Sequence, residues 1–370
     1  MSRTHTFGIV GGYGSTGSAV AAELLKSTGG EILLGGRDRA KATSLASKLG
    51  ARVSAAQLDV FDARSLDEFC TRCSIIINCA GPVHNLQDRV AQAAFRAQSH
   101  YVDVAGMTFV KEGMLPRAKE IADAGLCFVV SAGWMPGLSE LVPCYAYAMG
   151  RSRMDSLHSL NIYFGDSGEW SHNALRDAFW LIRRAGVAAP GYFHNGEWTK
   201  TKWSLATSTA DLGEPIGTRR FGLFSIPELD EIARRVKDCD VYVNSYVPDF
   251  QTTVAAILIA LFPLPESLGL RILRYMYRRV RLPVDGFAAA QVLGWSQGHK
   301  CSFTAQIVYR DRHDYWINGL VPALVARMIS EGSSVRRGVH FLAQAVEPIQ
   351  FMAELKKAGV EQSESFNPGE

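Results

Sequence analysis

The sequence predicts an α/β fold: an N-terminal doubly wound parallel sheet, then a second α+β domain with a mixed or antiparallel sheet. Three observations lead there. Short β-rich runs alternate with helical runs over residues 5–130, the rhythm of successive βαβ units. A glycine-patterned turn, Gly11-Gly12-Tyr13-Gly14-Ser15-Thr16-Gly17, separates the first strand from the first helix. After Gly137 the texture changes, as Trp, Tyr and Phe multiply and the β-rich runs lengthen.

In chain order, strands are expected at 5–10, 31–35, 52–58, 75–79, 101–104 and 127–130. Between them, 16–27, 39–49, 65–71, 86–98 and 116–124 are rich in Ala, Leu, Lys and Glu, as helices should be. Six strands with five crossovers make a complete Rossmann domain. In the second half, 157–164, 240–246 and 300–309 read as partly alternating strands, and 138–149, 172–184, 226–236, 252–262 and 267–279 as helices. Arg271, Arg274, Arg278 and Arg279 fall on one polar side of the last of these and read as solvated surface. Helices at 321–330 and 349–358 close the chain. The expected division is 1–137, 138–320, a closing segment 321–360 and a flexible polar tail 361–370, with no internal repeat.

Composition bounds the function. The 370 residues are 47% apolar and 20% charged, which excludes disordered and fibrous classes and suits two domains. Lys plus Arg number 39 against 36 Asp plus Glu, so the charge of +3 offers no footprint for unspecific nucleic-acid binding. Seven Cys, an odd count, read as reduced intracellular thiols. No signal-peptide core precedes the first strand, which implies a cytoplasmic protein. The longest apolar run, 254–264, has 11 residues and ends among Pro263 and Pro265, short of the roughly 20 that a membrane-spanning helix needs.

The glycine turn carries Gly-x-Gly-x-x-Gly at Gly12, Gly14 and Gly17, after a strand and before a helix. Gly12 is expected to make the tight turn, Gly14 to admit a pyrophosphate to the backbone, and Gly17 to let helix and sheet touch. The amides around Tyr13, Ser15 and Thr16 then face the phosphates at the helix N-terminus. At the end of the second strand stands Gly36-Arg37-Asp38. Arg37 can pair with a 2′-phosphate, which favours NADP(H), with NAD(H) possible. Asp38 either holds a free ribose hydroxyl or caps the next helix. Asp59 and Val60, after the third strand, and Asn78, Ala80, Gly81 and Pro82, after the fourth, lie on the ligand-binding edge of such a sheet. Asp59 either accepts from adenine or closes a strand-end turn. Gly81-Pro82 holds the turn beside the ribose and nicotinamide. Cys70 and Cys73 form a lone C-x-x-C, for which helix-end packing is the better account, so no metal is implied.

These motifs resemble one family, the saccharopine dehydrogenase-like oxidoreductases. The resemblance rests on residues 12–17, Gly36-Arg37-Asp38, Asn78-Cys79-Ala80-Gly81-Pro82-Val83, His100-Tyr101-Val102-Asp103-Val104-Ala105-Gly106 and Gly133-Trp134-Met135-Pro136-Gly137-Leu138. It is clear over residues 5–145 and general beyond. It implies a second domain that supplies much of the substrate pocket, a closing segment that packs back towards the first domain, and a homodimer. The chain departs from many relatives at His84-Asn85-Leu86-Gln87, where they carry an aromatic and a Gly, and at Leu138-Ser139-Glu140, so no substrate is carried over.

Hydride chemistry needs a group that stabilises or protonates the developing anion. Asp103, at the end of the fifth strand, is the catalytic or substrate-orienting candidate; a structural carboxylate binding loop amides is the alternative. The loop Gly165-Asp166-Ser167-Gly168-Glu169-Trp170-Ser171-His172 offers His172 as proton donor, and Ser171 as substrate contact or helix N-cap. Trp134 is placed to wall the nicotinamide or to fill core. No Tyr has a Lys four residues later, which excludes the short-chain dehydrogenase pair. The expectation is an NADPH-dependent reductase acting on a C=N bond, with C=O or C=C behind it, of a small, partly apolar metabolite. The alternatives are a non-catalytic NADP(H) sensor and an enoyl reductase-like partner in a lipid pathway.

Overall fold

The computed structural model describes residues 5–167, 170–185, 190–224, 226–247, 249–310 and 315–368. The chain runs β1 (Thr6–Val10), α1 (Ser15–Ser27), β2 (Glu31–Gly36), α2 (Arg39–Leu49), β3 (Val53–Gln57), α3 (Ala63–Cys70), β4 (Ile75–Asn78), α4 (Val83–Leu86), α5 (Arg89–Arg96), β5 (His100–Asp103), α6 (Met107–Met114), α7 (Ala118–Asp123) and β6 (Cys127–Val130). There follow α8 (Leu138–Arg153), β7 (Ser156–Asp166), α9 (His172–Ala185), β8 (Gly191–His194), β9 (Glu197–Lys200), β10 (Thr207–Asp211), β11 (Thr218–Leu223), α10 (Pro227–Ala233) and β12 (Asp240–Tyr246). Next are α11 (Phe250–Leu261), α12 (Glu266–Arg279), β13 (Gly286–Ser296) and β14 (His299–Tyr309). The chain closes with α13 (Trp316–Ser330), β15 (Gly338–Phe341), α14 (Leu342–Ala345), α15 (Pro348–Lys357) and β16 (Glu361–Asn367).

It divides into two compact units, Met1–Leu138 with Asp314–Phe351, and Ser139–His313 with Met352–Glu370. The first holds a seven-stranded sheet in the order β15-β6-β5-β4-β1-β2-β3, all parallel. Central strands such as β4, Ile75-Ile76-Ile77-Asn78, are buried throughout because helices cover both faces. On one face Leu66, Phe69, Val90, Ala94, Val110 and Phe128 share a core. On the other, α13 crosses α1 so closely that a side chain at Gly319 would strike Ala19 and the Val20 amide.

The second unit is built on a nine-stranded mixed sheet. Its central strand β7 pairs parallel with β12 and antiparallel with β13. Two hairpins turn on residue pairs in the left-handed region, Asn195-Gly196 (φ 51° and 77°) and Gln297-Gly298 (φ 50° and 83°), as tight two-residue loops require. Beside the sheet, α9, α11 and α12 share a small core of Leu175, Phe179, Ile259, Leu270, Leu273 and Met276.

Several expectations are corrected. The polar tail expected to be flexible over 361–370 is ordered in part: Glu361–Asn367 pairs antiparallel with β14. Edge pairing uses backbone groups and asks no apolar side chain, and Glu364 and Ser363 find partners in the Tyr145 hydroxyl (2.5 Å) and Gln306 Nε2 (2.6 Å). Strand β13 escapes detection because three Ala and two Gly dilute its β signal, yet Gly286 is demanded by the Tyr309 ring that fills its Cβ position. The helix expected over 86–98 breaks at Gln87, whose φ is 51°, into α4 and α5. The closing segment is not helical alone, since it contributes β15 beside β6.

Candidate functional site

All strands of the first sheet run parallel, so the turns that follow β1 to β6 gather at one edge. The β1–α1 turn is fixed by backbone alone. The Gly11 and Gly12 amides both donate to the Gly35 carbonyl, at 2.9 and 3.0 Å. The positive φ of +77° belongs to Gly11, not to Gly12 as expected; Gly12 instead allows close approach to Leu34, 2.9 Å from where its Cβ would lie. A side chain at Gly17 would strike the Gly11 carbonyl, so its contact is with the turn itself. At Gly14 a Cβ would meet only Gly11 O, at 3.2 Å. Helix α1 therefore begins with open space in front of it. No side chain caps it and no acid stands in its first turn, while Gly14 and Ser15 are exposed and Thr16 is half-buried. Orphan amides at a positive helix end form an anion cradle.

The neighbouring turn is closed. Asp38 Oδ1 accepts the Lys41 amide at 3.0 Å and caps α2. The Tyr13 ring packs on Gly36, where no Cβ would fit, and its hydroxyl accepts the Asp38 amide at 3.2 Å. Arg37 is left exposed, with no acid paired to it among the described residues. After β3, Asp59 is exposed and one carboxylate oxygen accepts the Phe61 amide at 3.0 Å, the strand-end turn; Val60 packs partly against the core. The Phe61 ring, 60% exposed, lies under the Arg89 guanidinium at 5.5 Å. Sequence reading passed over this pair because it joins the turn after β3 to the first residue of α5, distant along the chain.

After β4, Asn78 Oδ1 accepts the Ala80 amide at 3.1 Å and fixes the turn into Gly81-Pro82. Asn78 Nδ2 reaches the Tyr101 hydroxyl at 3.4 Å. Asp103 lies beneath. Its Oδ1 accepts the amides of Gly106 and, at 2.9 Å, Ser131, tying the turns after β5 and β6 together, while the buried Oδ2 accepts none. Met107 and Ser131, both joined to this hub, hold left-handed φ values of 51° and 59°, a strained arrangement that the buried carboxyl helps to fix. Burial raises the Asp103 carboxyl to about 6, against the amides of Ser131 and Gly106 and the Tyr101 hydroxyl, which favour its ionised form. The side chain thus sits under the edge as the loop-binding carboxylate weighed above. Ser131 was not singled out from the sequence, although its place directly after β6 is the signal that would have found it.

Trp134 is buried, and its amide donates to Asn318 Oδ1 of α13 at 3.0 Å. In the second unit, Asp166 is occupied by Trp170 Nε1 (3.0 Å) and the Tyr309 hydroxyl (2.6 Å). Ser171 Oγ accepts the Ala174 amide at 3.2 Å, an N-cap, and His172 is exposed at the start of α9. Gly168 and Glu169 fall outside the described residues. Cys70 and Cys73 are buried thiols, both pushed up to about 12 by burial, and Cys73 packs on Phe69 O at 3.6 Å. Among the described residues no cluster of three His, Cys, Asp or Glu is arranged to hold a metal.

Residues 7–129 match the model of the saccharopine dehydrogenase NADP binding domain. A lipid droplet localized protein of Caenorhabditis elegans is 28% identical over 137 residues, which cover 34% of this chain and 32% of that protein, so the chain spans about a third of this relative. The fold resembles saccharopine dehydrogenase (L-Glu forming) from Saccharomyces cerevisiae, with a TM-score of 0.69 and 16% identity over 98% of this chain and 100% of that one. No helix among the described residues is long and apolar enough to cross a membrane. The cofactor-domain sequence over residues 7–129 and a fold shared over nearly the whole length are thus what this chain has in common with saccharopine dehydrogenases.

Proposed function

We propose that the chain is an NADPH-dependent oxidoreductase that reduces a C=N bond, ahead of C=O or C=C, of a small and partly apolar metabolite. One observation carries the reading: within a domain that matches the NADP-binding family, α1 presents amides that no side chain caps, behind a glycine that leaves room for a diphosphate. The nicotinamide supplies hydride when bound. Ser15, Thr16 and Gly17 hold the diphosphate by backbone amides, Gly14, whose own amide donates to Gly11 O at 3.0 Å, leaves room for it, and Gly12 and Tyr13 shape the turn. Arg37, with no acid paired to it among the described residues, takes a 2′-phosphate, whereas Asp38 is engaged through Oδ1 in capping α2. Asp59, Val60 and the Phe61–Arg89 pair border the adenine end, and Asn78, Ala80, Gly81 and Pro82 the nicotinamide end. Asp103 is a positioning residue that sets the two loops over that end. In the first unit Trp134 is a substrate contact; in the second, Ser171 is a substrate contact and His172 the proton donor. The enzyme acts as a cytoplasmic homodimer.

Fluorescence titration with NADPH and NADH, followed by absorbance at 340 nm with imine, ketone and enoyl compounds, tests the reading. Tight NADPH binding with turnover of an imine is expected. Binding without consumption of NADPH by any of the three classes would make the protein a sensor.

A further inference from the structure

The second unit presents a surface that its own core does not explain. No charged residue occurs between Asp249 and Glu266, a stretch that contains all of α11. Helix α11 has already buried one side: Ile259 is fully enclosed and Ala255 and Ala256 pack in the cluster with α9 and α12. From Val254 onwards its outer side is nevertheless apolar. Val254, Ile257, Leu258, Leu261 and Phe262 recur at helical spacing and are 36–61% exposed. A helix whose last two turns are apolar on every side belongs in a core or at a lipid boundary, and an exposed patch of this kind marks a contact.

Helix α12 shows what the contact is made with. Its outer face carries Leu268 and Tyr275, 44% and 57% exposed, between Arg271, Arg274 and Arg278. These three arginines have no acidic partner among the described residues, whereas Arg279 pairs with Asp249 at 3.3 Å and Arg176 with Glu266 at 2.7 Å. Aliphatic residues, a Tyr and unpaired Arg on one face are the composition of a helix lying in a headgroup layer, with guanidinium groups extending to phosphates. The apolar run is too short to cross a bilayer. A second copy of this chain fits less well, because a two-fold contact would set the arginine row near its own image.

We propose that the outer faces of α11 and α12 dock the protein on an anionic phospholipid surface. The proposal does not rest on the cofactor reading. Flotation with phosphatidylcholine vesicles, and with mixed phosphatidylcholine–phosphatidylserine vesicles, tests it on the full chain. The wild type is expected to float with the mixed vesicles at low salt and to be released by high salt. Combined Arg271→Glu, Arg274→Glu and Arg278→Glu should lower partitioning on the order of a hundredfold, at about tenfold or less per charge. Combined Leu261→Asp and Phe262→Asp should lower it at least as much. These side chains are exposed, so circular dichroism and NADPH affinity should stay unchanged; the milder Leu261→Gln, with a smaller loss, serves should the pair perturb folding. Wild type that fails to float with any vesicle overturns the proposal. So does flotation indifferent to both sets of changes, or self-association that Leu261→Asp abolishes while no vesicle binds, which gives the face to a second copy.

Discussion

Three turns at the same sheet edge, β1–α1, β2–α2 and β5–α6, solve the same problem differently. Each must deal with amides that the helix cannot use. At α2, Asp38 supplies an oxygen, and at α6, Asp103 takes the Gly106 amide. At α1 the Gly14 amide turns back to the Gly11 carbonyl at 3.0 Å, no side chain accepts the amides that follow it, and Gly14 keeps the space before them clear. The difference shows where the protein has reserved a place for an outside anion: the amides left without an acceptor are the ones that a ligand completes. Filling the reserved place is the sharpest way to break this contrast. Gly14→Val should keep the fold, since its Cβ meets only Gly11 O at 3.2 Å and the Gly14 φ is −72°. It should weaken NADPH binding by more than roughly a hundredfold, because charge-assisted amide bonds at about 1.5–3 kcal/mol each are lost together. Isothermal calorimetry on folded protein checks it; unchanged affinity would place the nucleotide elsewhere.

The filled turn at α6 differs from the one at α2 in burial, and pH separates them. Asp103 holds its proton more tightly folded, near 6, than unfolded, near 3.8. Its contribution to stability is therefore greatest at acid pH and shrinks as pH rises from about 4 to about 6, by about 3 kcal/mol for roughly two pK units. Asp103→Asn has no such proton. Urea midpoints of both proteins, taken across that window, should show the wild type losing this amount relative to the variant on the way up; parallel curves would mean that the carboxyl ionises as freely folded as unfolded. A positioning role predicts also that turnover falls in Asp103→Asn more than NADPH affinity does.

How far the sequence foretold these turns depends on the range of the forces that make them. The glycine spacing, the Asp38 cap and the Gly81-Pro82 turn are local, so strand-turn-helix context exposed them. The Asp103 hub was half legible: the strand end could be placed, but its partners, Gly106 three residues on and Ser131 after the next strand, are set by sheet order, which the sequence carries only indirectly. The same holds for Phe61 with Arg89. In the second unit, Asn195-Gly196 was a local hairpin signal within reach, while β13 and β16 exist by long-range pairing, which supports Ala, Gly and polar residues that have little strand preference of their own.

Two smaller changes probe the contrast at the adenosine end. Arg37→Ala should weaken NADPH roughly tenfold to a hundredfold, the worth of a charge-assisted pair, and leave NADH nearly untouched; equal losses would show that Arg37 does not read the phosphate. Asp38→Ala has the least effect. Removing the acceptor of the Lys41 amide costs about 1 kcal/mol of stability, as for other helix caps. The carboxylate already serves the helix, so affinity for NADH should hold within about twofold, well inside the 1.4 kcal/mol of a tenfold change. Should NADH binding instead collapse in Asp38→Ala while thermal stability stays put, the acid belongs to the ribose. The turn after β2 would then be a second reserved place, and the distinction between an open α1 and a closed α2 would no longer stand.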